Sequence, residues 1–536
     1  MGMKIRKGFR RFLFRATAVL GIAGGSIFCF TGCATNPVTG KNELSLISES
    51  QEVQIGEANY GPTIQTEGGP YATMPELTAY VNEVGQKLVA VSDRPDLPYE
   101  FEVLNNPVPN AWALPGGKIA INRGLLAVLE SEAELAAVLG HEIVHAAARH
   151  SAQRMERQTL GNAITTAAVI GIGAAMGDDR NRDLVMGAAH TSAVFGSQLI
   201  YSKYSRDAES EADYYGMHYL SKAGYDPRAA VSLQEKFVEL SQGNNPGWLD
   251  GLFLSHPPSP QRVERNRQTL AELPEGGFMG EAEYRERLRP LIAAQAAYDR
   301  YQEAGKAYAA GEVDRSLELL NEAASMLPGE GLIDAMKARL HSQKGDADAA
   351  LNAIREAIRK NPEYFAFHMI EGQLLSEMGR NEQARFAFQR SNQLLPTAES
   401  QAALGFLALE AGDAEQAYRF LSDAARFAET KAGQASRQAL LPLEMKRDPS
   451  AFISARPVLT RDGQLEVEVS NRGPYPYELI VLEVVTADGG RRELAVSEPI
   501  RNGQTLTLKT PFGPYNSTAD PLTLARIQLV RAILDV

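Results

Sequence analysis

Between residues 296 and 445 the chain repeats itself, and this feature restricts its fold more sharply than any other. Gly311, Gly345, Gly379 and Gly412 follow one another at steps of 34, 34 and 33 residues, and Ser316, Ala350, Ala384 and Ala417 keep the same steps. Pro328, Pro362 and Pro396 recur at 34. Four residues after each small residue stands Leu320, Ile354, Phe388 or Leu421. A period of this length marks a supersecondary unit that cannot bury its apolar face alone and must stack on its neighbours. The pattern predicts four helix pairs, the small residues allowing the helices of a pair to pack closely.

The repeat resembles the tetratricopeptide repeat, and such an α-solenoid presents a concave surface to protein partners. The plainer alternative is that it braces the domain before it. After residue 450 the period falls to 2. QLEVEVSN, ELIVLEVVT and QTLTLKT, with the turn ADGGRR, predict an all-β module over residues 450–536, in the form of a small sandwich.

The first 33 residues differ from the rest. Lys4, Arg6, Lys7, Arg10, Arg11 and Arg15 precede the apolar run ATAVLGIAGGSIFCF, which is the order of charges and apolar residues in a secretory signal. Both cysteines, Cys29 and Cys33, lie inside it, so a metal in the body of the protein must be held by histidines and carboxylates. FTGC resembles the lipobox of bacterial lipoproteins, which would place a lipid anchor on Cys33. Ala34, where an aspartate would favour inner-membrane retention, points to the periplasmic face of the outer membrane. A plain signal peptide or an uncleaved anchor is the alternative. Removing residues 1–32 takes away six basic residues and no acidic ones, moving the net charge from −12 to −18. An acidic body of this kind is not expected to bind nucleic acid. The run AITTAAVIGIGAAM, residues 163–176, is too short and too rich in Ala and Gly to span a bilayer, and is expected to form a buried or lid-like helix.

Residues 34–290 hold the chemistry. YEFEVLN predicts a strand; AWAL and KIAIN predict two more, joined by Pro115-Gly116-Gly117. If the outer strand, around Asn110, Ala111, Trp112, Ala113 and Leu114, is free, it can hold an extended peptide by main-chain hydrogen bonds; otherwise the hairpin is structural. A helix follows, with Ser131 and Glu134 at capping-box spacing and an apolar face of Leu135, Val138, Ile143 and Val144. That helix runs into GHEIVHAAARH. His141 and His145 are four apart, hence within about 40° of each other on a helix, and Glu142 lies between them. HExxH on a helix is the pattern in which two imidazoles bind zinc, a position stays open for water, and the glutamate takes its proton. Two solvated histidines are the alternative.

A third ligand is needed. His150 comes one residue too early for HExxHxxGxxH, with Ala148 in place of the glycine. If the helix continues, His150 lies about 160° from the midline of the other two at ~100° per residue, which makes it a structural or surface residue. YSRDAESEADYYGMHYLSKAGYDP, residues 204–227, is the better source. Glu209 and Asp213 share a helix face, so one can bind the metal while the other orients a ligating histidine. Glu211, about 200° from Glu209, is expected to face elsewhere.

HEIVH, SRDAESEAD and GYDP, preceded by NAWALPGGKIAINRGLL and followed by SHPPSPQR, resemble the Ste-type prenyl-protein endopeptidase and HtpX superfamily of zinc metallopeptidases, nearest its periplasmic, repeat-bearing branch. The resemblance covers about residues 38–445. It implies a multidomain protein with a mainly α gluzincin-type domain carrying a small hairpin or sheet, followed by the repeat solenoid (296–445) and the β module. It implies one Zn2+ per chain on His141, His145 and Glu209, with Glu142 as general base and Asp213 behind a ligand. His256, in the His-Pro element, would be a switch ligand or a plain loop histidine, and Arg262 would support the site or the transition state. The activity implied is endopeptidase cleavage of misfolded or misassembled envelope proteins, with outer-membrane assembly machinery as a partner of the repeats. A repeat chaperone with a latent protease site, plugged by residues 163–200 and His256, is the rival. The β module departs from the family pattern, and the membrane-embedded substrates of multi-span relatives do not transfer.

Overall fold

The computed structural model describes residues 32–157, 200–242 and 250–535. The expected signal segment up to residue 31, the side chain of Cys33 and the expected helix at 163–176 lie outside the described residues. The chain divides into two compact units, residues 1–374 and 375–536.

The first unit opens on a hairpin of β1 (Gly32–Thr35) and β2 (Asn42–Ser45), followed by helices α1 (Glu49–Thr66) and α2 (Pro75–Val89). Next come β3 (Glu100–Leu104), β4 (Ala111–Leu114) and β5 (Lys118–Asn122), in the order β3-β5-β4. β3 runs parallel to β5, and β4 pairs with β5 as the expected antiparallel hairpin. The turn needs its glycines, since Gly116 and Gly117 hold φ of 76° and 85°, a region costly for residues with a Cβ. β4 is an edge strand, yet every residue of β4 and β5 is buried. Ala111 and Ala113 join the main core, while Trp112 and Leu114 pack with Tyr60 and Leu104 on the opposite face. With both faces covered, the strand is apolar throughout and shows no alternation.

After a short helix α3 (Arg123–Leu126) comes α4 (Glu132–Ala147), the axis of the unit. Ser131 caps it by accepting from the Glu134 N–H, and the Glu134 carboxylate accepts from the Glu130 N–H, one residue ahead of the cap. Fifteen of its sixteen residues are buried, so the apolar stripe seen in sequence is only one of its covered sides. Four helices complete the surroundings: α5 (Arg206–Lys222), α6 (Arg228–Gln242), α7 (Asp250–Ser255) and α8 (Pro260–Leu270). α4 and α5 meet backbone to backbone. A Cβ on Gly216 would lie 3.2 Å from the His141 nitrogen, and one on Gly140 would lie 3.4 Å from the Gly216 oxygen.

Helix α9 (Glu281–Ala309) then runs unbroken from this core into the repeats. Tyr284, Leu288 and Leu291 pack in the main core; Ala304 and Ala307 pack with Leu319 and Leu320 in the next. Helices α10 (Val313–Met326), α11 (Gly331–Gln343), α12 (Ala347–Lys360) and α13 (Phe365–Glu377) continue the series. The early repeats are bolted to the sheet. The buried Glu330 carboxylate accepts from Asn105, Thr73 and Tyr298, and Gln65 donates to Glu363 O while accepting from the Phe365 N–H. This part of the solenoid braces the domain before it, whatever else it binds.

The second unit carries α14 (Asn381–Leu394), α15 (Ala398–Glu410), α16 (Ala414–Ala425) and α17 (Lys431–Arg447). All four repeat glycines have positive φ, between 71° and 81°, with nothing within 4 Å of an added Cβ; the turn needs their backbone freedom, not their small size. The repeat's small residues, Ser316, Ala350, Ala384 and Ala417, are fully buried. Two antiparallel three-stranded sheets close the chain. β6 (Ile453–Leu459), β7 (Leu465–Asn471) and β10 (Thr505–Lys509) form one; β8 (Tyr477–Thr486), β9 (Arg491–Val496) and β11 (Ala525–Leu534) form the other. Alternate residues of β7 and β8, from Leu465 to Val484, build one shared core, as the period of 2 requires. Among the described residues no helix is long and apolar enough to cross a membrane.

Candidate metal centre

The site lies where α4 and α5 cross. His141 and His145, one turn apart on α4, bring their Nε2 atoms to 3.0 Å from each other. Glu209 sits in the first turn of α5, which Ser205 caps by accepting from the Ala208 N–H. Its carboxylate reaches 3.4 Å from His145 Nε2 and 3.7 Å from His141 Nε2. The expected alternative between Glu209 and Asp213 is thereby resolved in space. Asp213 instead lies 3.1 Å from His141 Nδ1, on the far side of that ring.

His256 arrives from the end of α7 and adds a fourth donor, the third nitrogen of the group. Its Nδ1 stands 3.0 Å from Glu209 Oε1 and 3.3 Å from His141 Nε2. The ligand atoms of His141, His145, Glu209 and His256 all fall within 4.8 Å of one another. Two ligands of a tetrahedral zinc ion with bonds of 2.0–2.1 Å stand about 3.3 Å apart, so the 3.0–3.7 Å separations fit such an ion. Two nitrogens at 3.0 Å and a carboxylate beside them, with His145 and Glu209 buried and His141 partly so, have the chemistry of a metal donor set.

Glu142 is buried beside this cluster, its Oε1 3.6 Å from His256 Nε2 and its Oε2 without a hydrogen-bond partner among the described residues. Burial raises its pKa above the usual carboxylate value, although His256 and His141 pull the other way. Burial also opposes ionisation of Glu209, but His256 and Arg262 outweigh it and hold that carboxyl well below its ordinary value. His145, fully buried, is held well below the ordinary imidazole value and stays neutral, as a ligand must. Arg262, in the first turn of α8 behind its Ser259 cap, forks onto Asp213 at 2.7 and 2.6 Å and lies 2.8 Å from Glu209. Its charge outweighs the burial of Asp213 and lowers that carboxyl too. A cavity of about 50 Å3 opens beside the cluster, lined by Ala111, Leu125, Val138, Met217 and Phe237 together with His141 and Glu142.

Of the strand expected to hold substrate, only Ala111 lines this cavity. Asn110, Trp112 and Ala113 are buried near it, and the Ala113 carbonyl accepts from Ser151 Oγ at 3.3 Å. The sequence reading missed Tyr204, whose ring stacks on His145 at 3.8 Å and whose hydroxyl bonds Ser151; its pKa is pushed up to about 12 by burial. No spacing signalled it. His150 needs a correction of geometry. The helix does not continue past Ala147; Arg149 takes φ 62°, and the chain bends so that His150 returns, buried, to 2.9 Å from His145 Nδ1. Glu211 meets His150 there at 3.2 Å.

Comparison with known proteins places this geometry. Residues 75–270 match the profile of Peptidase family M48. Mitochondrial metalloendopeptidase OMA1 of Schizosaccharomyces pombe is 32% identical over 252 residues, covering 47% of this chain and 70% of the yeast protein. The beta-barrel assembly-enhancing protease of Escherichia coli is 30% identical over 236 residues, 44% of this chain and 47% of its own length, so the chain spans about half of that relative. A solved tetratricopeptide protein of Thermus thermophilus aligns over 28% of this chain and all of its own at 18% identity, with a TM-score of 0.20. With the fungal enzyme matched over seven-tenths of its length, and a His-His-Glu cluster inside the matched segment, the chain belongs to peptidase family M48 as a metalloendopeptidase.

Proposed function

We propose that the chain is a zinc-dependent endopeptidase of the bacterial cell envelope that degrades misfolded or misassembled envelope proteins. The observation that carries this is the grouping of His141, His145 and Glu209 at tetrahedral spacing, with the buried Glu142 beside them. Zinc on these three ligands supplies a Lewis acid and lowers the pKa of bound water. Glu142 takes the proton of the attacking water and returns it to the leaving amine; its raised pKa suits both halves of that task. Asp213 accepts the His141 Nδ1–H and so keeps Nε2 free for the metal, while Arg262 holds Asp213 and Glu209 in place. A substrate strand would add to β4 along Asn110, Ala111, Trp112 and Ala113, displacing the Ser151 hydroxyl from Ala113 O.

His256 supports a second reading. It occupies a fourth place in the cluster, where an active site keeps a position open, so this arrangement is a closed, latent state. The repeats recruit substrate or an outer-membrane assembly machine, and a lipid on Cys33 anchors the chain at the periplasmic face of the outer membrane. The similarity to the beta-barrel assembly-enhancing protease of Escherichia coli supports that setting. Cleavage of an unfolded protein by the purified chain and by its His256→Ala variant, each assayed for zinc, tests the proposal. One equivalent of zinc in both and at least roughly tenfold faster cleavage in the variant is expected. Zinc without cleavage in either would favour the repeat scaffold with a silent site.

A further inference from the structure

His145 Nε2 faces the cluster, so its Nδ1 must find a partner elsewhere. That partner is not a carboxylate, as it is for His141, but a second imidazole: His150 Nδ1 at 2.9 Å. Two ring nitrogens at this distance can neither both carry hydrogen nor both lack it. With Nε2 committed to the metal, His145 bears hydrogen on Nδ1 and donates it to His150 Nδ1. His150 then carries its own hydrogen on Nε2, where Glu211 Oε2 accepts it at 3.2 Å. Lys41 donates to Glu211 Oε1 at 2.7 Å and closes the series. Each atom has one role consistent with the next.

The turn that makes this possible is held from outside the site. Arg149, at φ 62°, donates to Glu52 Oε2 at 3.0 Å and to Ser45 Oγ at 2.7 Å, and also bonds Ile47 O. Asn36 donates to Ala148 O at 3.1 Å, and Glu156 accepts from the Leu46 and Ile47 N–H groups at 2.9 Å. A non-glycine residue keeps such a conformation only where its surroundings fix it.

We propose that His150 and Glu211 are positioning residues, which set the tautomer and ring orientation of His145 and thereby its affinity for the metal. This rests on His145 being a metal ligand, and the test separates the two ideas. Co2+ is titrated into the metal-free full chain against a chelating dye, with the visible spectrum of bound Co2+ recorded and the urea midpoint of each metal-free variant measured. His145→Ala tests the ligand itself; His150→Phe and Glu211→Leu test the positioning. Glu211→Gln keeps an oxygen that can accept from His150.

Outer partners of metal-bound histidines are worth about 10- to 100-fold in affinity. His150→Phe and Glu211→Leu are therefore expected to weaken Co2+ binding by about that factor and to shift its spectrum, with urea midpoints unchanged and Glu211→Gln within about threefold of the parent. If His150→Phe does not fold, Glu211→Leu decides, because that side chain is partly exposed. Binding within about twofold of the parent in the deciding variants, or loss only in step with a lower urea midpoint, overturns the proposal. An unchanged affinity in His145→Ala instead overturns the ligand set beneath it.

Discussion

Arg262 gathers more of the site's charge than any ligand does. It is 4% exposed and neutralises two buried carboxylates, Asp213 through a two-pronged contact and Glu209 through Nη1. Removing one partner of a buried ion pair leaves the other uncompensated, at about 3–5 kcal/mol. Arg262→Met is therefore expected to lower the stability of the first unit by that amount, seen as a lower urea midpoint of the metal-free protein. Single residues were unevenly legible. His141, Glu142 and His145 follow from spacing on one helix, because four residues on a helix share a face whatever surrounds them; the same spacing left Glu209 and Asp213 as alternatives, between which only the family resemblance chose. His150 did not follow from spacing, because its place depends on Arg149 taking φ 62°, a conformation that no glycine or asparagine announces.

Among the elements, the α4–α5 crossing decides whether the ligands meet. Gly140 and Gly216 bring the two backbones into contact, with a Gly216 Cβ due 3.2 Å from the His141 nitrogen. Backbone on the far side cannot give way as a side chain could. Gly216→Val is expected to push α5 off α4, costing about 1–3 kcal/mol of stability and weakening metal binding, since Glu209 rides on the displaced helix. A loss of stability with metal affinity intact, measured by urea unfolding and Co2+ titration, would mean that the crossing does not set the site. The strands of the C-terminal sheets, the capped helix and the repeat pairs were legible because each has its own period, and β4 and β5 because the Pro115-Gly116-Gly117 turn divides them. The full burial of α4 and β4 was not, since coverage comes from elements remote in sequence.

In the first unit, helix α9 belongs both to the core around α4 and to the first repeat, and Glu330 ties the repeats to Asn105 beside the sheet. That continuity could not be foreseen, because the repeat pattern starts where the peptidase pattern fades and neither shows who packs on whom. Lys41, which bonds Glu211, and Asn36, which bonds the Ala148 carbonyl, lie within eight residues of Cys33. Cys33→Ser is expected to move the protein from the membrane to the soluble fraction of a cell extract, and retention in the membrane would remove the lipid anchor from the account. The central claim is that the chain cleaves peptide bonds with Glu142 as its base. The direct measurement is the rate at which the His256→Ala protein cleaves an unfolded substrate, with and without Glu142→Gln, at matched zinc content. The account predicts a loss on the order of 10²- to 10⁴-fold with zinc retained; an unchanged rate would contradict it.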